Sequence, residues 1–427
     1  MTKKSGDNRW MFLVLPYQIA YGPLSTLIVL YILFLHGTVI DVSYAIALGY
    51  AVSIPAGIAW GMAIDVYNRR RFFIILSFIG FLLSLIALFF VSSLILVIAI
   101  YALISLVLVA NATPINLLVM DNNPKKAWPE KFSRLQMISS LGGTFGLLFS
   151  FFIVGIFPIR VLLIMLVPFC ILAIALSFLI KPDRVRSVRR SIIFDSKALA
   201  VRLFLHPFFF VRLPPLSMLK RFFSSITPKN ISKSYLNTVY LGLLLFSFGS
   251  GLFNTVYPAG LKEYGLTNFT VFGIILAGYI IQTVAFYFSG KYIKHKKGNI
   301  LASGSLVLRS IGYLAIGAIF VIFGHRTSII LNILFYIVAA GLAYSIFYTI
   351  SNVMLFKAIG SNKRGRKLGV YSSLVALGSI LGALISGYTS FYISYSFTFI
   401  AAGIAMLVAS IVFYNLKRAA HVMPSPV

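Results

Sequence analysis

Twelve long, continuous apolar stretches are the feature of this 427-residue sequence that most restricts its fold. Each is about 20 residues or longer, the length of helix that crosses a ~30 Å hydrocarbon layer. They lie at roughly 10–35, 41–63, 72–91, 93–119, 135–157, 160–181, 236–260, 270–290, 299–323, 328–356, 369–391 and 394–416. A water-soluble globular protein is excluded, because 60% of the residues are apolar and only 11% are charged. Barrel strands would be shorter and would alternate in polarity. We therefore predict an all-α polytopic membrane protein with twelve transmembrane helices.

The basic residues fall on alternate loops between these segments. With the N-terminus placed inside the cell, the inner loops hold all of the 37 basic residues except Arg160, Lys262, Arg309 and Arg326. An excess of Lys and Arg on one side of the membrane marks that side as cytoplasmic. We therefore predict cytoplasmic N- and C-termini and a multi-pass protein of the plasma membrane. The excess of 37 basic over 8 acidic residues then indicates topology and affinity for anionic lipid, not nucleic-acid binding.

The first apolar run follows three basic residues, as in a signal peptide. It continues to about Leu35, however, whereas the apolar part of a signal peptide has roughly 7 to 15 residues. We predict that this run is the first membrane helix and is not cleaved.

A polar, basic stretch divides the twelve segments into six and six. We predict an N-terminal six-helix bundle at 1–181, a basic cytoplasmic linker at 182–235 and a C-terminal six-helix bundle at 236–427. The linker contains a short apolar run, Ala198 to Leu205, which is flanked and interrupted by basic residues and prolines. This run can lie as an amphipathic stretch on the cytoplasmic leaflet. The alternative is a tether without regular structure.

The two halves share a short glycine pattern. An offset of 236 residues aligns Gly142 with Gly378, Gly146 with Gly382, Ser150 with Ser386 and Asn116 with Asn352. Each glycine pair has the G-x-x-x-G spacing that lets two helix backbones approach closely in lipid. Such spacing is common in membrane helices, so chance is the alternative. The position of the matches in equivalent segments favours parallel repeats related by an axis along the membrane normal.

The loop after the second segment carries a recognisable motif. It reads Gly61-Met62-Ala63-Ile64-Asp65-Val66-Tyr67-Asn68-Arg69-Arg70-Arg71. This resembles the signature of the major facilitator superfamily, and it keeps Gly61, Asp65, Arg69 and Arg70. It departs from the signature at Val66, where a basic residue is usual, and at Asn68, where glycine is usual. Asn tolerates the left-handed backbone conformation that glycine would supply.

The resemblance implies a fold and a mechanism. Two six-helix bundles would enclose a substrate cavity, lined mainly by the first, fourth, seventh and tenth segments and open to each side of the membrane in turn. Asp65 would lie near the N-terminus of the eleventh helix and the arginines beside it, and these residues would form a latch for one conformation. A carboxylate is favoured at a helix N-terminus.

Polar side chains in the four cavity segments are the candidate substrate contacts. The candidates are Tyr17, Gln18, Tyr21, Asn111, Asn116, Asn254, Tyr257, Tyr344, Tyr348 and Asn352. Polar groups are costly in the membrane and usually face a cavity or a neighbouring helix. The alternative is that some of them only tie helices together by hydrogen bonds.

The placement of charged residues restricts the mechanism further. All eight acidic residues lie in loops or at segment ends, so proton coupling through a buried acid is disfavoured, although Asp41 and Glu263 could line an outer vestibule. Arg309 is the one charge deep within a segment. It could contact an anionic substrate. Because the ninth segment is peripheral in the family it resembles, we expect instead a structural arginine bonded to the carbonyl groups of a neighbour.

A secondary or facilitative transporter of a small organic solute, acting as a monomer, is the function these features favour. A transport-inactive scaffold or receptor with the same fold is the alternative. No metalloprotease, serine-hydrolase or phosphate-loop motif is present, so an enzyme is not expected. Cys170 is the sole cysteine, which excludes an intrachain disulfide. We expect neither a metal nor another cofactor.

Overall fold

Twelve membrane-spanning helices make up the fold. The computed structural model describes residues 9–67, 69–123, 128–180, 235–292, 298–322, 325–359 and 364–420; some side chains near helix ends, including that of Asp65, lie outside the description. Twelve helices in these ranges are long and apolar enough to cross a membrane, which confirms the prediction. The predicted linker lies outside the described residues.

Nine of the twelve spans are single α-helices and three are interrupted. The helices are α1 (Val14–Tyr21 and Leu24–Phe34), α2 (Val39–Tyr67), α3 (Arg70–Phe90), α4 (Leu94–Asn122), α5 (Trp128–Ile156), α6 (Ile159–Met165 and Val167–Ser177), α7 (Tyr235–Glu263), α8 (Asn268–Tyr292), α9 (Gly298–Ile322), α10 (His325–Tyr336 and Tyr344–Ile359), α11 (Arg364–Tyr392) and α12 (Tyr395–Ala420). In α10 the two pieces are joined by a π-helix, Ile337–Ala343. In α1 the break falls at Pro23, which has no N–H to donate to the helix.

The ends of α1 and α7 have the same geometry. Beyond α1, His36 has φ 62°, the Gly37 N–H donates to the Ile32 carbonyl at 2.9 Å and the His36 N–H donates to the Leu33 carbonyl at 3.1 Å. Beyond α7, Gly265 has φ 80°, and the equivalent bonds run from Leu266 to Leu261 and from Gly265 to Lys262. These are Schellman caps. Corresponding residues are 229 positions apart, so the first and seventh helices are structural repeats.

The glycine pattern marks equivalent helix crossings. A Cβ atom on Gly142 would lie 2.7 Å from the Leu15 carbonyl oxygen, and one on Gly146 would overlap the Ile19 carbonyl oxygen. Thus α5 packs directly on the backbone of α1.

In the second half α11 packs on α7 in the same way. A Cβ on Gly378 would lie 2.6 Å from the Leu244 carbonyl oxygen, and one on Gly382 would overlap the Phe248 carbonyl oxygen. Leu244 and Phe248 are each 229 positions beyond Leu15 and Ile19. The repeat proposed from the glycines is therefore also present in how the helices cross.

The first six and the last six helices meet mainly along α5 with α8 and α2 with α11, and α7 also contacts α1 and α2. In the described part of the chain, α1 begins and α12 ends at one membrane face, which we call the terminal face. The loops that join α1 to α2 and α7 to α8 lie at the other face, which we call the distal face.

Candidate functional site

Contacts between the halves close the distal face. The hydroxyl groups of Tyr44 and Tyr388 share a short hydrogen bond, and Ser43 packs against Gly387. Ser43 and Tyr44 lie near the beginning of α2, and the residues they meet lie near the end of α11. The rings of Phe151 and Phe269 also meet there, with centroids 3.9 Å apart.

Deeper in the membrane the halves are joined by three hydroxyl groups. The hydroxyls of Ser140 and Thr283 lie 2.7 Å apart, and those of Thr144 and Thr283 lie 3.0 Å apart. Both contacts are between α5 and α8. Some of these hydroxyls also bond to backbone carbonyl groups. The hydroxyl contacts between the halves can therefore break and be replaced by neighbouring groups when the halves move.

A group of tyrosines lies at the surface between the halves. Tyr21 of α1 is 41% exposed and Tyr50 of α2 is 40% exposed. Tyr21 lies within electrostatic range of Tyr50, Tyr101 and Tyr279. Because Tyr279 belongs to α8 in the second half, Tyr21 lies where the two halves approach each other. The space between the halves there is the candidate substrate cavity.

Two of the first-half candidates are packed inside that half. Tyr17 is 6% exposed and stacks on Phe78, with ring centroids 4.8 Å apart. Asn111 is buried, donates from Nδ2 to the Ser77 hydroxyl at 3.1 Å and also hydrogen-bonds with Tyr17. These contacts favour the helix-tying alternative for Asn111.

The other candidates are accessible to different extents. Asn116 and Asn254 are exposed, and Gln18, Tyr344, Tyr348 and Asn352 are half-buried. Asn352 donates from Nδ2 to the Tyr348 carbonyl at 2.8 Å, and the rings of Tyr344 and Tyr348 lie 5.7 Å apart. Tyr344 also lies within electrostatic range of Tyr279, which places this part of α10 near the cavity.

The expectation for Arg309 needs correction. Among the residues that the structure describes, its guanidinium bonds to no carbonyl group of a neighbour; its Nε donates to the Tyr313 hydroxyl at 2.8 Å. Its Cζ lies 5.1 Å from the ring centre of Phe246, 5.2 Å from that of Tyr313 and 5.0 Å from that of Tyr344. The side chain is only 2% exposed. The ninth helix therefore presents its charge to α7 and α10, towards the interior of the second half.

Aromatic rings continue from this arginine along α7. The ring of Phe253 stacks on Tyr313 at 3.8 Å, and Tyr257 lies between Phe253 at 4.6 Å and Tyr336 at 4.7 Å. We call the set formed by Phe246, Ser250, Phe253, Tyr257, Arg309, Tyr313, Tyr336 and Tyr344 the arginine cluster.

Three polar atoms of the arginine cluster are buried and have no hydrogen-bond partner among the described residues. They are Nη1 of Arg309, the hydroxyl of Tyr257 and the hydroxyl of Ser250. All three can donate a hydrogen bond, and an unsatisfied buried donor is rare in folded proteins.

The proposed latch is described only in part. Arg69 is exposed and Arg70 is half-buried at the start of α3, and a Cβ on Gly61 would meet nothing within 4 Å. The side chains of Asp65 and of the first turn of α11 lie outside the described residues. The latch therefore remains a prediction.

Several residues of the site carry a weak sequence signal or none. Phe246, Ser250, Phe253 and Tyr257 recur at intervals of four, three and four residues, which places them on one face of α7. That spacing could have revealed this face of the cluster. Tyr50, Tyr101 and Tyr279 stand alone in apolar segments, and nothing local distinguishes a cavity tyrosine from one that faces lipid. Within the described ranges no three His, Cys, Asp or Glu residues could together bind a metal ion.

Twelve helices, two repeated halves and an accessible polar surface between them define a polytopic transport protein. The sequence matches the family model of the Major Facilitator Superfamily at residues 10–333 and 239–427. The chain belongs to this superfamily and is a multi-pass membrane transporter.

Solved structures show the same fold. The peptide transporter POT in complex with sulfate aligns over 96% of this chain and 93% of its own, with a TM-score of 0.73 and 12% identity. The nucleoside transporter NupG aligns over 96% and 98%, with a TM-score of 0.69 and 11% identity. A POT family transporter in complex with 5-aminolevulinic acid aligns over 95% and 94%, with a TM-score of 0.67 and 15% identity. No curated protein matches the chain by sequence.

Proposed function

We propose that this protein moves a small organic solute across the plasma membrane by alternating access, through the space between its two halves. The observation that carries the proposal is the tyrosine surface around Tyr21, to which both halves contribute. Tyrosine offers an apolar ring and a hydroxyl that both donates and accepts hydrogen bonds. Such a surface suits an organic solute better than a bare ion.

Charge and contacts together support a direction for the opening of the proposed cavity. The positive-inside pattern favours a cytoplasmic terminal face. The halves meet at the distal face through Tyr44 and Tyr388 and through Phe151 and Phe269. This arrangement corresponds to a conformation closed to the outside and open towards the cytoplasm.

The remaining parts of the proposal concern organisation. We propose six-helix bundles at 1–181 and 236–427 joined by a basic cytoplasmic linker at 182–235, in a monomer whose cytoplasmic face binds anionic lipid. Gly61, Asp65, Arg69 and Arg70 form the proposed latch at that face. The solved relatives are described as carriers or binders of peptides, nucleosides or 5-aminolevulinic acid, all small organic molecules, and this supports a solute of similar size.

A scaffold or receptor that keeps this fold without transport is the competing function. It would retain the tyrosine surface but would not need the halves to separate at the distal face. Locking the halves together therefore distinguishes the two functions.

Ser43 and Gly387 provide the site for the lock. A Cβ on Gly387 would lie 2.5 Å from Cβ of Ser43. If the two helices move apart by roughly 1 to 2 Å, the two Cβ atoms reach the distance found in disulfides. We expect Ser43→Cys with Gly387→Cys, in a Cys170→Ser background, to lose solute flux in proteoliposomes after oxidation and to regain it after reduction. The solute is taken from a thermal-shift screen of sugars, amino acids, organic acids and lipophilic cations.

A disulfide within one half is the matched control. The hydroxyls of Ser303 in α9 and Ser410 in α12 lie 2.8 Å apart, so Ser303→Cys with Ser410→Cys crosslinks two helices of the second half only. Flux should survive this crosslink. If flux also survives the disulfide between Ser43→Cys and Gly387→Cys, alternating access is contradicted. If the solute binds but no variant shows flux, the receptor function is favoured.

A further inference from the structure

The arginine cluster contains a buried positive charge that no described carboxylate neutralises. The guanidinium of Arg309 is 2% exposed, and in the described part of the chain the acidic side chains are those of Asp41 and Glu263, both at helix ends. Asp41 is occupied at the distal face, where it accepts hydrogen bonds from Thr38. A charge buried in a membrane protein normally pairs with a partner or marks a functional site.

The rings around Arg309 compensate only part of this charge. Phe246, Tyr313 and Tyr344 offer their ring faces or edges at 5.0 to 5.2 Å from Cζ, within the range of cation–π attraction. Rings cannot accept the strong hydrogen bonds that a guanidinium donates, and Nη1 has no partner. An acceptor is therefore missing from the cluster.

Two further buried hydroxyl groups of the cluster also lack a hydrogen-bond partner in the described ranges. The hydroxyls of Tyr257 and Ser250 are buried and unpartnered, and both lie on the face of α7 that also carries Phe246. Tyr257 is stacked on Tyr336, which lies within electrostatic range of Arg309. Nη1 of Arg309 can only donate, and the two hydroxyls can donate as well as accept, so a ligand that carries acceptors suits all three groups.

We propose that the arginine cluster binds the carboxylate of a small aromatic organic anion, which is the transported solute. This inference rests on the proposed function and names its substrate class. A planar guanidinium matches a carboxylate in two parallel hydrogen bonds. One unneutralised cation fits a monoanion, because a second negative charge would stay buried without a partner. The surrounding rings provide stacking surfaces for the aromatic part of the solute.

Access to the guanidinium runs through α10. Tyr336 and Tyr344 flank the π-helix Ile337–Ala343, and both approach Arg309. A π-helix is a strained variant of the α-helix that is frequent at functional sites. Conversion of this segment towards α-helix would rotate Tyr344 relative to Tyr336 and open the guanidinium to the cavity beside Tyr279. The conformation described here has the anion site closed.

The test compares acids with their neutral amides on the full-length, detergent-purified protein. The probes are benzoate and phenylacetate, with benzamide, phenylacetamide, acetate, chloride and inorganic phosphate at constant ionic strength. We expect the two aromatic acids to raise the melting temperature with a saturable dose response, and their amides to have at least tenfold weaker effects. Equal stabilisation by acid and amide overturns the inference, as does a response to chloride or phosphate alone.

Variants then assign the binding to the cluster. Arg309→Lys keeps the charge but loses the planar fork, and we expect at least tenfold weaker binding of phenylacetate. Tyr257→Phe removes one donor and should weaken binding several-fold. Arg160→Lys is the matched control, because Arg160 also lies over a ring, that of Phe89 at 5.4 Å, but in the first half. It should bind phenylacetate like the unmodified protein.

The outcomes separate this inference from the proposed function. Unchanged phenylacetate binding in Arg309→Lys and Tyr257→Phe overturns the arginine cluster as the site. If Arg309→Lys does not fold, Tyr257→Phe and the comparison of acid with amide decide. One outcome is a neutral solute whose flux is abolished by the lock and unchanged in Arg309→Lys. That result overturns the anion site and supports transport. Phenylacetate binding that depends on Arg309 without flux supports the anion site and overturns transport.

Discussion

The two halves of the molecule share a scaffold and differ in their interiors. In both halves a glycine pair brings one helix onto the carbonyl groups of another, α5 on α1 and α11 on α7. Inside the first half, Asn111 joins Ser77 and Tyr17 by hydrogen bonds. Inside the second half, Phe246 occupies the position 229 residues beyond Tyr17 and lies over Arg309. The hydrogen bonds of Asn111 join neutral groups, whereas the second interior holds a buried charge beside unpartnered donors.

This difference teaches that scaffold and site can change independently after duplication. The glycine contacts involve backbone atoms, so most side chains nearby can be exchanged without altering the crossing. The interior contacts involve side chains, and one substitution at the position of Tyr17 or Phe246 changes the chemistry. We therefore expect mutations at the crossings to affect both halves alike and mutations in the interiors to affect them in opposite directions.

The largest effect is expected at the crossings. Gly146→Ala and Gly382→Ala each place a Cβ atom on a carbonyl oxygen, of Ile19 and Phe248, which forces the helices apart. Overpacking of this kind costs typically 1 to 3 kcal/mol. We expect each variant to lower the melting temperature in detergent by several degrees, by similar amounts in the two halves.

Gly304→Ala is the control for this comparison. A Cβ at Gly304 meets nothing within 4 Å, so the change adds helix propensity without a clash. Its melting temperature should be equal to or higher than that of the unmodified protein. A loss confined to one of the two crossing variants would show that the crossings are not equivalent.

The parts of this structure that local sequence determines were predicted well. The length and continuity of the apolar runs specify the spans, and the G-x-x-x-G spacing identifies the helices that cross closely. Arg309 shows where that reasoning ends. Its neighbours come from α7 and α10, and their approach depends on helix rotation, which the sequence around Arg309 does not determine. Assigning the ninth helix to the periphery led to the expectation of carbonyl partners, which was wrong.

The role of the predicted site residues stays a prediction. Tyr21 lies within electrostatic range of Tyr279 of the other half, and so does Tyr344 of the same half as Tyr279. Tyr50, Tyr101 and Tyr279 were missed because only the packing of α2, α4 and α8 brings them to Tyr21. Exposure in a membrane protein can mean lipid or cavity, and residues of the other half are needed to distinguish the two.

An intermediate effect is expected in the interiors, with opposite results for the two halves. Asn111→Leu leaves the hydroxyls of Ser77 and Tyr17 without their partner, and an unsatisfied buried group costs about 1 to 3 kcal/mol. Arg309→Met removes an unneutralised buried charge, whose desolvation costs several kcal/mol, and loses ring contacts of roughly 0.5 to 2 kcal/mol. We expect the melting temperature to fall in Asn111→Leu and to stay constant or rise in Arg309→Met.

Measuring both flux and stability distinguishes the roles of the two residues changed in Asn111→Leu and Arg309→Met. Arg309→Met should lose transport of the solute while remaining folded, which a purely structural arginine would not do. Asn111→Leu should keep transport per folded molecule at a temperature well below its melting point. A strong destabilisation in Arg309→Met would show that the arginine cluster is a packing element, and the contrast between the two interiors would disappear.

The smallest effect is expected from a pH gradient. The sequence predicts all eight acidic residues in loops or at segment ends, and the two described acidic side chains, Asp41 and Glu263, lie at helix ends and not in either interior. We therefore expect exchange of the solute across proteoliposomes to be constant between about pH 6 and pH 8, where a carboxylate solute with an ordinary pKa near 4.3 remains ionised. An imposed pH gradient should drive no more uphill uptake in liposomes with the unmodified protein than in liposomes with Arg309→Met. The Arg309→Met liposomes are the control because they measure the undissociated acid that crosses the lipid without the transporter. Uphill uptake that requires the unmodified protein would place a proton-carrying group in one half, and Asp41, Glu263 and Asp65 would be the first residues to replace.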